Sequence, residues 1–445
     1  MTVEFCSVGG YNEVGRNMSA LKYGNEVVLL DMGFYMQKIV DFEEEGGHKQ
    51  TITANELISA QAIPNDNVIK KWKNDVKAIA CSHCHLDHIG AIPYLAPKYN
   101  VPILGTPYTV EVIKSTLKND DIKIKNPLKA VNPNSKIRVS DNIELEFINM
   151  THSTLQTAMI AVHTPDGVIL YANDFKFDNH PVLGKKPNYK RLKELGKKGI
   201  LALVVDSLYS FNDGKTPSEK VAREMLKDVI LGTENKGDAV IVTTFASNIA
   251  RIKSMVDFGH ELNRKVVMLG RSLTKYISAA EKIKLINFTK KVELVAYGNK
   301  IRNKLKLIEK EGKGRYLIIC TGSQAEPNSV LSKIINGTFS FNFRPKDHII
   351  FSCKTIPVEP NITNRKRLED KLKRKKIRIF TNIHTSGHCS REDLRDLVTM
   401  VKPKYIIPAH GDLNKRKPMV ELAYEIGYKK KNILLMNNGN ITKLS

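Results

Sequence analysis

The chain of 445 residues has no apolar run long enough to cross a bilayer. Its longest, "ILALVV" (200–205) and "VIVTTFA" (240–246), fall far short of the roughly 18 residues a membrane helix needs. The start, "MTVEFCSVGGYNEVG", lacks the basic flank and apolar core of a signal peptide and alternates like an opening strand, so a cytoplasmic location is expected. Cysteine is scarce, with six scattered residues (Cys6, Cys81, Cys84, Cys320, Cys353, Cys389) and no dense framework, which excludes a disulfide-stapled secreted domain. Cys81 and Cys84 form a lone CxxC without a second pair at ribbon spacing, which argues against a zinc ribbon. Low-complexity segments and fixed-period repeats are also missing, which leaves neither a disordered tail nor a solenoid.

Acidic residues are outnumbered. Against 46 Asp and Glu stand 70 Lys and Arg, and the resulting charge of +24 favours a polyanionic partner, nucleic acid first, through phosphate contacts and counterion release. Two basic runs, "KKPNYKRLKELGKK" (185–198) and "NRKRLEDKLKRKKIR" (364–378), are spaced as helices with solvated faces.

The length exceeds what one core supports, so two domains are expected. Residues 1 to about 35 read as a strand meander. "VKAIACSH" is a strand that stops at histidines, and "IGAIPYLAPKY" follows as a short helix. Later strands, "IELEFINMTH", a hairpin turning at Asp166-Gly167, and "ILALVVDS", again end in His or Asp. From about 209 the pattern becomes strand, helix, strand, the mark of a parallel α/β unit. This predicts an α/β protein of three stretches: 1–208 and 351–445 forming one domain, with 209–350 inserted into it.

"SHCHLDHIG" (82–90) carries the chemistry. An isolated histidine is ordinarily a satisfied or surface imidazole. Three with an aspartate in six positions point instead to metal, since two divalent ions about 3.5–4 Å apart need nitrogen donors and a shared carboxylate from several strand ends. His83 and His85 can face one ion while Asp87 and His88 turn to a second.

With these residues the sequence resembles the metallo-β-lactamase superfamily, an αββα sandwich whose dinuclear zinc site follows that motif with a later His, a bridging Asp and a final His. The resemblance implies His152, Asp174 and His410 in those places, with Asp31 supporting the site. Asp178 competes with Asp174, which is preferred because it falls where its strand ends. The inserted α/β stretch resembles that of the β-CASP nucleases, phosphodiester-cleaving members with an acidic motif and two histidine motifs, here Asp206, His388 in "HTSGH" and His410. The segments "GGYNEVGRNM", "DFKFD", "FASNIARI", "GRS", "TGSQAEP", "HTSGH" and "KPKYIIPAHGD" narrow the likeness, from about residue 7 to 415, to the ribonuclease J family, in its archaeal form without a C-terminal domain. The loop "IPVEPNITN" (356–364) departs from the family's shorter turn.

This resemblance implies a 5′-to-3′ exoribonuclease, with endonucleolytic cleavage as a further activity, that holds two zinc ions in His83, His85, Asp87, His88, His152, Asp174 and His410; the same donors can hold manganese or magnesium. Asp87 would orient the attacking water. His388 would serve a phosphate oxygen or the leaving group, with Asp206 holding the imidazole. Ala246, Ser247, Asn248, Arg271, Ser323, His384, Thr385, Ser386 and Gly387 would join His388 in contacting substrate, and a pocket about a nucleotide from the metals would take a 5′-monophosphate. Plain N-cap chemistry at Ser247 and Ser323 is the competing reading of those turns. Implied partners are single-stranded RNA, a second copy in a homodimer and other RNA-decay proteins. The alternatives are a DNA nuclease of the same branch and a metal-free RNA-binding scaffold in a processing complex.

Overall fold

The structure, a computed structural model, describes residues 2–44, 52–356 and 359–445. It divides into two compact units: Met1–Asn179 with Lys185–Thr216 and Gly387–Ser445, and Pro217–Ser386 with His180–Gly184.

The first unit is built on two sheets. One contains β1 (Val3–Gly9), β2 (Met18–Tyr23), β3 (Glu26–Leu30), β4 (Val76–Cys81), β5 (Ile103–Gly105) and β6 (Leu128–Ala130), with β19 (Asn440–Leu444) added on the outer side of β1. The other runs β18-β11-β10-β9-β8-β7, from β7 (Ser135–Arg138), β8 (Glu144–Asn149), β9 (Ala158–Thr164), β10 (Gly167–Ala172), β11 (Ile200–Asp206) and β18 (Pro403–Ala409). The expected meander is β1 to β3, antiparallel throughout, and the expected hairpin joins β9 to β10.

Side-chain alternation explains how the second sheet is covered. Leu145, Phe147, Ile160, Val162, Ile169, Tyr171, Ala202 and Val204 face the first sheet in one core. Their neighbours Ile148, Met159, Ala161, Leu170, Ala172, Leu203 and Val205 face the other way, into a core capped by the helices Tyr189–Lys198, Arg391–Val401 and Leu413–Glu425. Every residue of β11 is buried, because it pairs in parallel with β10 and β18 and is covered on both faces; hence the unbroken "ILALVVD". The stretch expected as a single helix at 89–99 is divided among the end of Leu86–Ile89, Ile92–Leu95 and a 3-10 turn, Ala96–Lys98, the last two each opening with a proline in the first turn.

Chain direction gathers chemistry on one rim. β3 and β4 are parallel to each other, and β8, β10, β11 and β18 share one direction in the second sheet. Their carboxyl ends lead to Asp31, His83, His152, Asp174, Asp206 and His410.

The second unit has one all-parallel sheet, β14-β13-β15-β12-β16-β17, of strands β12 (Val240–Thr243), β13 (Lys265–Leu269), β14 (Val292–Val295), β15 (Tyr316–Cys320), β16 (His348–Phe351) and β17 (Arg378–Phe380). The unit reaches Ser386 rather than 350. "HIIFSCK" and "RIFTNIHTSGH" read in sequence as a return to the first domain, but β16 and β17 pair onto β12 and extend this sheet. Of the loop at 356–364, residues 357–358 lie outside the described residues, and a helix begins at Asn361. Among the described residues, no helix is long and apolar enough to cross a membrane.

Candidate metal centre

In the first unit the rim residues converge on one carboxylate. Asp174 Oδ2 lies 3.1 Å from His88 Nε2, 3.6 Å from His83 Nε2 and 3.6 Å from His152 Nε2, and Oδ1 lies 3.5 Å from His410 Nε2. His85 Nδ1 stands 3.1 Å from both His83 Nε2 and His152 Nε2. Asp87 Oδ2 is 3.4 Å from His88 Nε2 and 4.0 Å from His410 Nε2. Three donor groups result, His83-His85-His152-Asp174, Asp87-His88-Asp174-His410 and Asp174-Asp206-His388-His410, with Asp174 common to all. Asp178, its competitor in the sequence, is buried with Oδ2 3.6 Å from Lys176 Nζ and belongs to none of these groups.

The donor set fits divalent metal. Tetrahedral ligands about 2.0–2.1 Å from an ion stand about 3.3 Å apart, close to the separations around Asp174 and His85. Asp174 Oδ1 is buried without a hydrogen-bond partner among the described residues, a costly state for a carboxylate oxygen unless a cation meets it. The outward imidazole nitrogens are tied down. His88 Nδ1–H donates to Asp31 Oδ2 (2.8 Å), His152 Nδ1–H to the Gly387 carbonyl (2.6 Å) and His410 Nδ1–H to Asn17 Oδ1 (3.0 Å). His83 Nδ1 lies 3.0 Å from the Ser82 hydroxyl. These contacts turn each Nε2 inward and fix its tautomer, as partners of metal-bound histidines do. Asp31 is held in turn by the Ser82 N–H (2.7 Å) and hydroxyl (2.8 Å).

The electrostatics agree. Burial, reinforced by neighbouring imidazoles, holds His83 and His152 well below the ordinary histidine value, and burial brings His85 down to about 4, so all three stay neutral donors near pH 7. Burial opposes charge on His88 too, but Asp174, Asp87 and Asp31 outweigh it and raise it well above the usual range. Burial would raise the Asp174 carboxyl, yet His410, His88 and His388 hold it well below. The charged form of His88 is therefore favoured in the metal-free centre.

Backbone strain marks the same rim. Asp31, Asp174 and His410 have φ of 60°, 56° and 58°, left-handed conformations that non-glycine residues rarely adopt. Gly33 lets the chain pass the metal loop, since a Cβ there would sit 1.5 Å from the Asp87 carbonyl oxygen. At Gly387 a Cβ would come within 2.9 Å of His152 Cε1.

Beside the donors, His388 Nδ1–H donates to Asp206 Oδ2 at 2.7 Å, and its Nε2 lies 3.9 Å from Asp174 Oδ2. Burial lowers its pKa, but Asp206 and Asp174 prevail and raise it to about 9. Cys84, within the motif, is buried with Sγ 3.0 Å from Thr154 Oγ1; no cysteine joins a donor group among the described residues.

Asn17 is the site residue that sequence reasoning missed. It is buried, its Oδ1 accepts from His410 and from Asn173 Nδ2 (3.2 Å), and its Nδ2 donates to the Asp87 carbonyl (3.0 Å) and reaches Asp87 Oδ2 (3.3 Å). The only signal was its place in "GGYNEVGRNM"; an asparagine in a turn has a plainer explanation.

The remaining candidates lie in the second unit. "HTSGH" is divided: Gly387 and His388 belong to the first unit, and His384, Thr385 and Ser386 to the second. Ala246, Ser247 and Asn248 follow β12, Arg271 follows β13 and is exposed, and Ser323 follows β15. The helix caps are not those of the competing reading. Asn248 caps Ile249–Glu261 by accepting from the Arg251 N–H, and Ser329 caps Val330–Ile335. Neither Ser247 nor Ser323 is a cap.

The sequence compares directly with known families. Residues 12–231 match the metallo-β-lactamase superfamily, 237–368 the ribonuclease J β-CASP domain, and 373–434 the Zn-dependent metallo-hydrolase RNA specificity domain. The chain is 42% identical to ribonuclease J of Methanocaldococcus jannaschii, covering 99% of this chain and 98% of that one, and 40% identical to ribonuclease J of Pyrococcus abyssi, covering 99% and 97%. Ribonuclease J 1 of Streptococcus pyogenes is 31% identical over 99% of this chain and 74% of its own length. A crystal structure of a protein of unknown function from Enterococcus faecalis shares the fold, with a TM-score of 0.68 at 17% identity over the full length of both chains. With its metal-type donor groups on a lactamase rim and these full-length relatives, the chain belongs to the ribonuclease J family, metal-dependent RNA-processing nucleases of the metallo-β-lactamase superfamily.

Proposed function

We propose that this chain is a 5′-to-3′ exoribonuclease that also cleaves internally and works with two divalent ions, zinc in the first place. The observation that carries the reading is the Asp174 carboxylate, with one oxygen toward His83, His88 and His152 and the other toward His410. His83, His85, His152 and Asp174 would hold one ion; Asp87, His88, His410 and the same Asp174 the other. When bound, such ions supply Lewis-acid charge for the phosphodiester and lower the pKa of water toward neutrality.

The chain's own groups do the rest. Asp87, 23% exposed, is the most accessible carboxylate of the centre and orients the attacking water. Asp206 accepts the Nδ1 proton of His388, which leaves Nε2–H to meet a nonbridging phosphate oxygen or protonate the leaving oxygen. Asn17 and Asp31 keep His410 and His88 turned inward.

In the second unit the 5′-phosphate reading rests on topology. The connection after β12 runs toward β13, whereas that after β15 runs to β16 on the other side, so the adjacent carboxyl ends of β12 and β15 form a topological switch point, where open α/β sheets bind ligands. Ala246–Asn248 and Ser323 lie there, with the N-terminus of Ile249–Glu261 favouring an anion.

The test is time-resolved digestion of RNA labelled at the 5′ or the 3′ end, by the purified chain and by His85→Ala. Mononucleotides released from the 5′ label, and none from the variant, are expected. Equal rates on 5′-hydroxyl and 5′-monophosphate RNA would remove the phosphate pocket.

A further inference from the structure

Phe211 is a large apolar side chain left 52% exposed in the first unit. Single exposed apolar residues are common and need no explanation. This one is set apart by its neighbours and by the rigidity of its backbone. Its ring lies 6.0 Å from the Tyr209 ring at 52°, and the Tyr209 ring lies 6.0 Å from His388 at 64°, so the aromatic series begins at the candidate phosphate-contacting imidazole and ends in solvent. The segment is pinned on both sides of Phe211. Tyr209 forms a parallel bridge with Ser390, and the Ser210 hydroxyl donates to the Lys415 carbonyl (2.7 Å). The Asn212 N–H closes a turn onto the Tyr209 carbonyl (3.0 Å), and its own carbonyl accepts from the Arg391 N–H (2.9 Å). A mobile loop could fold its phenyl ring away from water; this one is held outward.

We infer that Phe211, backed by Tyr209, is a stacking platform for a nucleobase of single-stranded RNA beside the cleavage centre. The occupant follows from continuity: a strand whose phosphate meets His388 carries its adjacent bases past Tyr209 and Phe211, and every base offers a π-face to a ring. The inference rests on the nuclease reading of the site, adding to it a contact that is blind to base identity.

The test compares wild type, Phe211→Ala and Phe211→Trp on single-stranded RNA, and on RNAs carrying one abasic nucleotide at successive positions. Phe211→Ala is expected to raise KM about tenfold with kcat nearly unchanged, within the range of base–aromatic stacking. Phe211→Trp is expected to keep the wild-type KM and to show indole quenching on RNA binding. One abasic position should erase the gap between wild type and Phe211→Ala. An unchanged KM in Phe211→Ala, or a gap that persists at every abasic position, overturns the platform. If the wild type cleaves no RNA, the nuclease reading fails instead, and quenching in Phe211→Trp still reports whether RNA stacks there.

Discussion

The two units bury charge in opposite ways. In the first, His83, His88 and His410 are buried around the carboxylate of Asp174, whose Oδ1 has no hydrogen-bond partner among the described residues. In the second, Arg251 is fully buried and used up. Its guanidinium pairs with both carboxylate oxygens of Glu219 and donates to the Ser352 carbonyl (3.0 Å), the Ser352 hydroxyl (3.0 Å) and the Ile383 carbonyl (3.1 Å). Buried charge that is satisfied within the chain is architecture. Buried donors that converge from several strand ends on one carboxylate are a metal-type donor set.

The sharpest way to break that contrast is Asp174→Asn. If the carboxylate serves ions rather than the fold, RNA cleavage falls about a thousandfold or more, ~4 kcal/mol in the barrier. Metal content per chain should fall while circular dichroism and melting of the metal-free protein hold steady. A destabilised metal-free variant would put Asp174 with Arg251.

The reverse is expected of Arg251→Met, which strands the Glu219 carboxylate in the interior and costs about 3–5 kcal/mol in the stability of the second unit, read by denaturant titration. Arg251→Met combined with Glu219→Leu should recover most of that loss, because no charge is left buried alone. Metal content should not change in either variant.

Asn17→Ala stands between the two classes. It removes the acceptor that turns His410, so metal affinity should drop about 10- to 100-fold by competition with a chromogenic chelator, with little change in melting of the metal-free chain.

The smallest effect tests whether the contrast belongs to the region or to the pairing. Glu146 is in the first unit but fully engaged, accepting from Arg191 Nη2 (3.0 Å) and lying 2.9 Å from His163 Nε2. Burial would raise its pKa, yet His163 and Arg191 hold it down at about 2, against an ordinary 4.5. Its stabilisation is therefore present above pH 4.5 and lost as pH falls toward 2. Glu146→Gln should cost about 1–2 kcal/mol at neutral pH and flatten the acid limb of the stability curve in that window, leaving cleavage intact.

The same contrast shows why some features could be read from the sequence and others not. "SHCHLDHIG" is legible because its four donors are local and their spacing is itself the signal. Strand β11 is legible for a similar reason, its unbroken apolar run requiring burial on both faces. The end of the second unit is not. A strand that returns to the first sheet and one that extends a parallel sheet have the same apolar pattern, so β16 and β17 were assignable only once their partners were known. Asn17 was hidden because an asparagine in a turn looks alike whether it caps a backbone group or aims an imidazole.

By itself, then, the sequence determined the donors' chemical identity and their position at strand ends, since residue type and hydrophobic period are properties of the chain. Only the tertiary structure decided that ends as far apart as Asp31 and His410 share one rim, that the strained backbones at Asp31, Asp174 and His410 turn their side chains into it, and that Asp174 stands between two sets of imidazoles. Those outcomes depend on strand order and direction, which long-range pairing sets and no local pattern encodes.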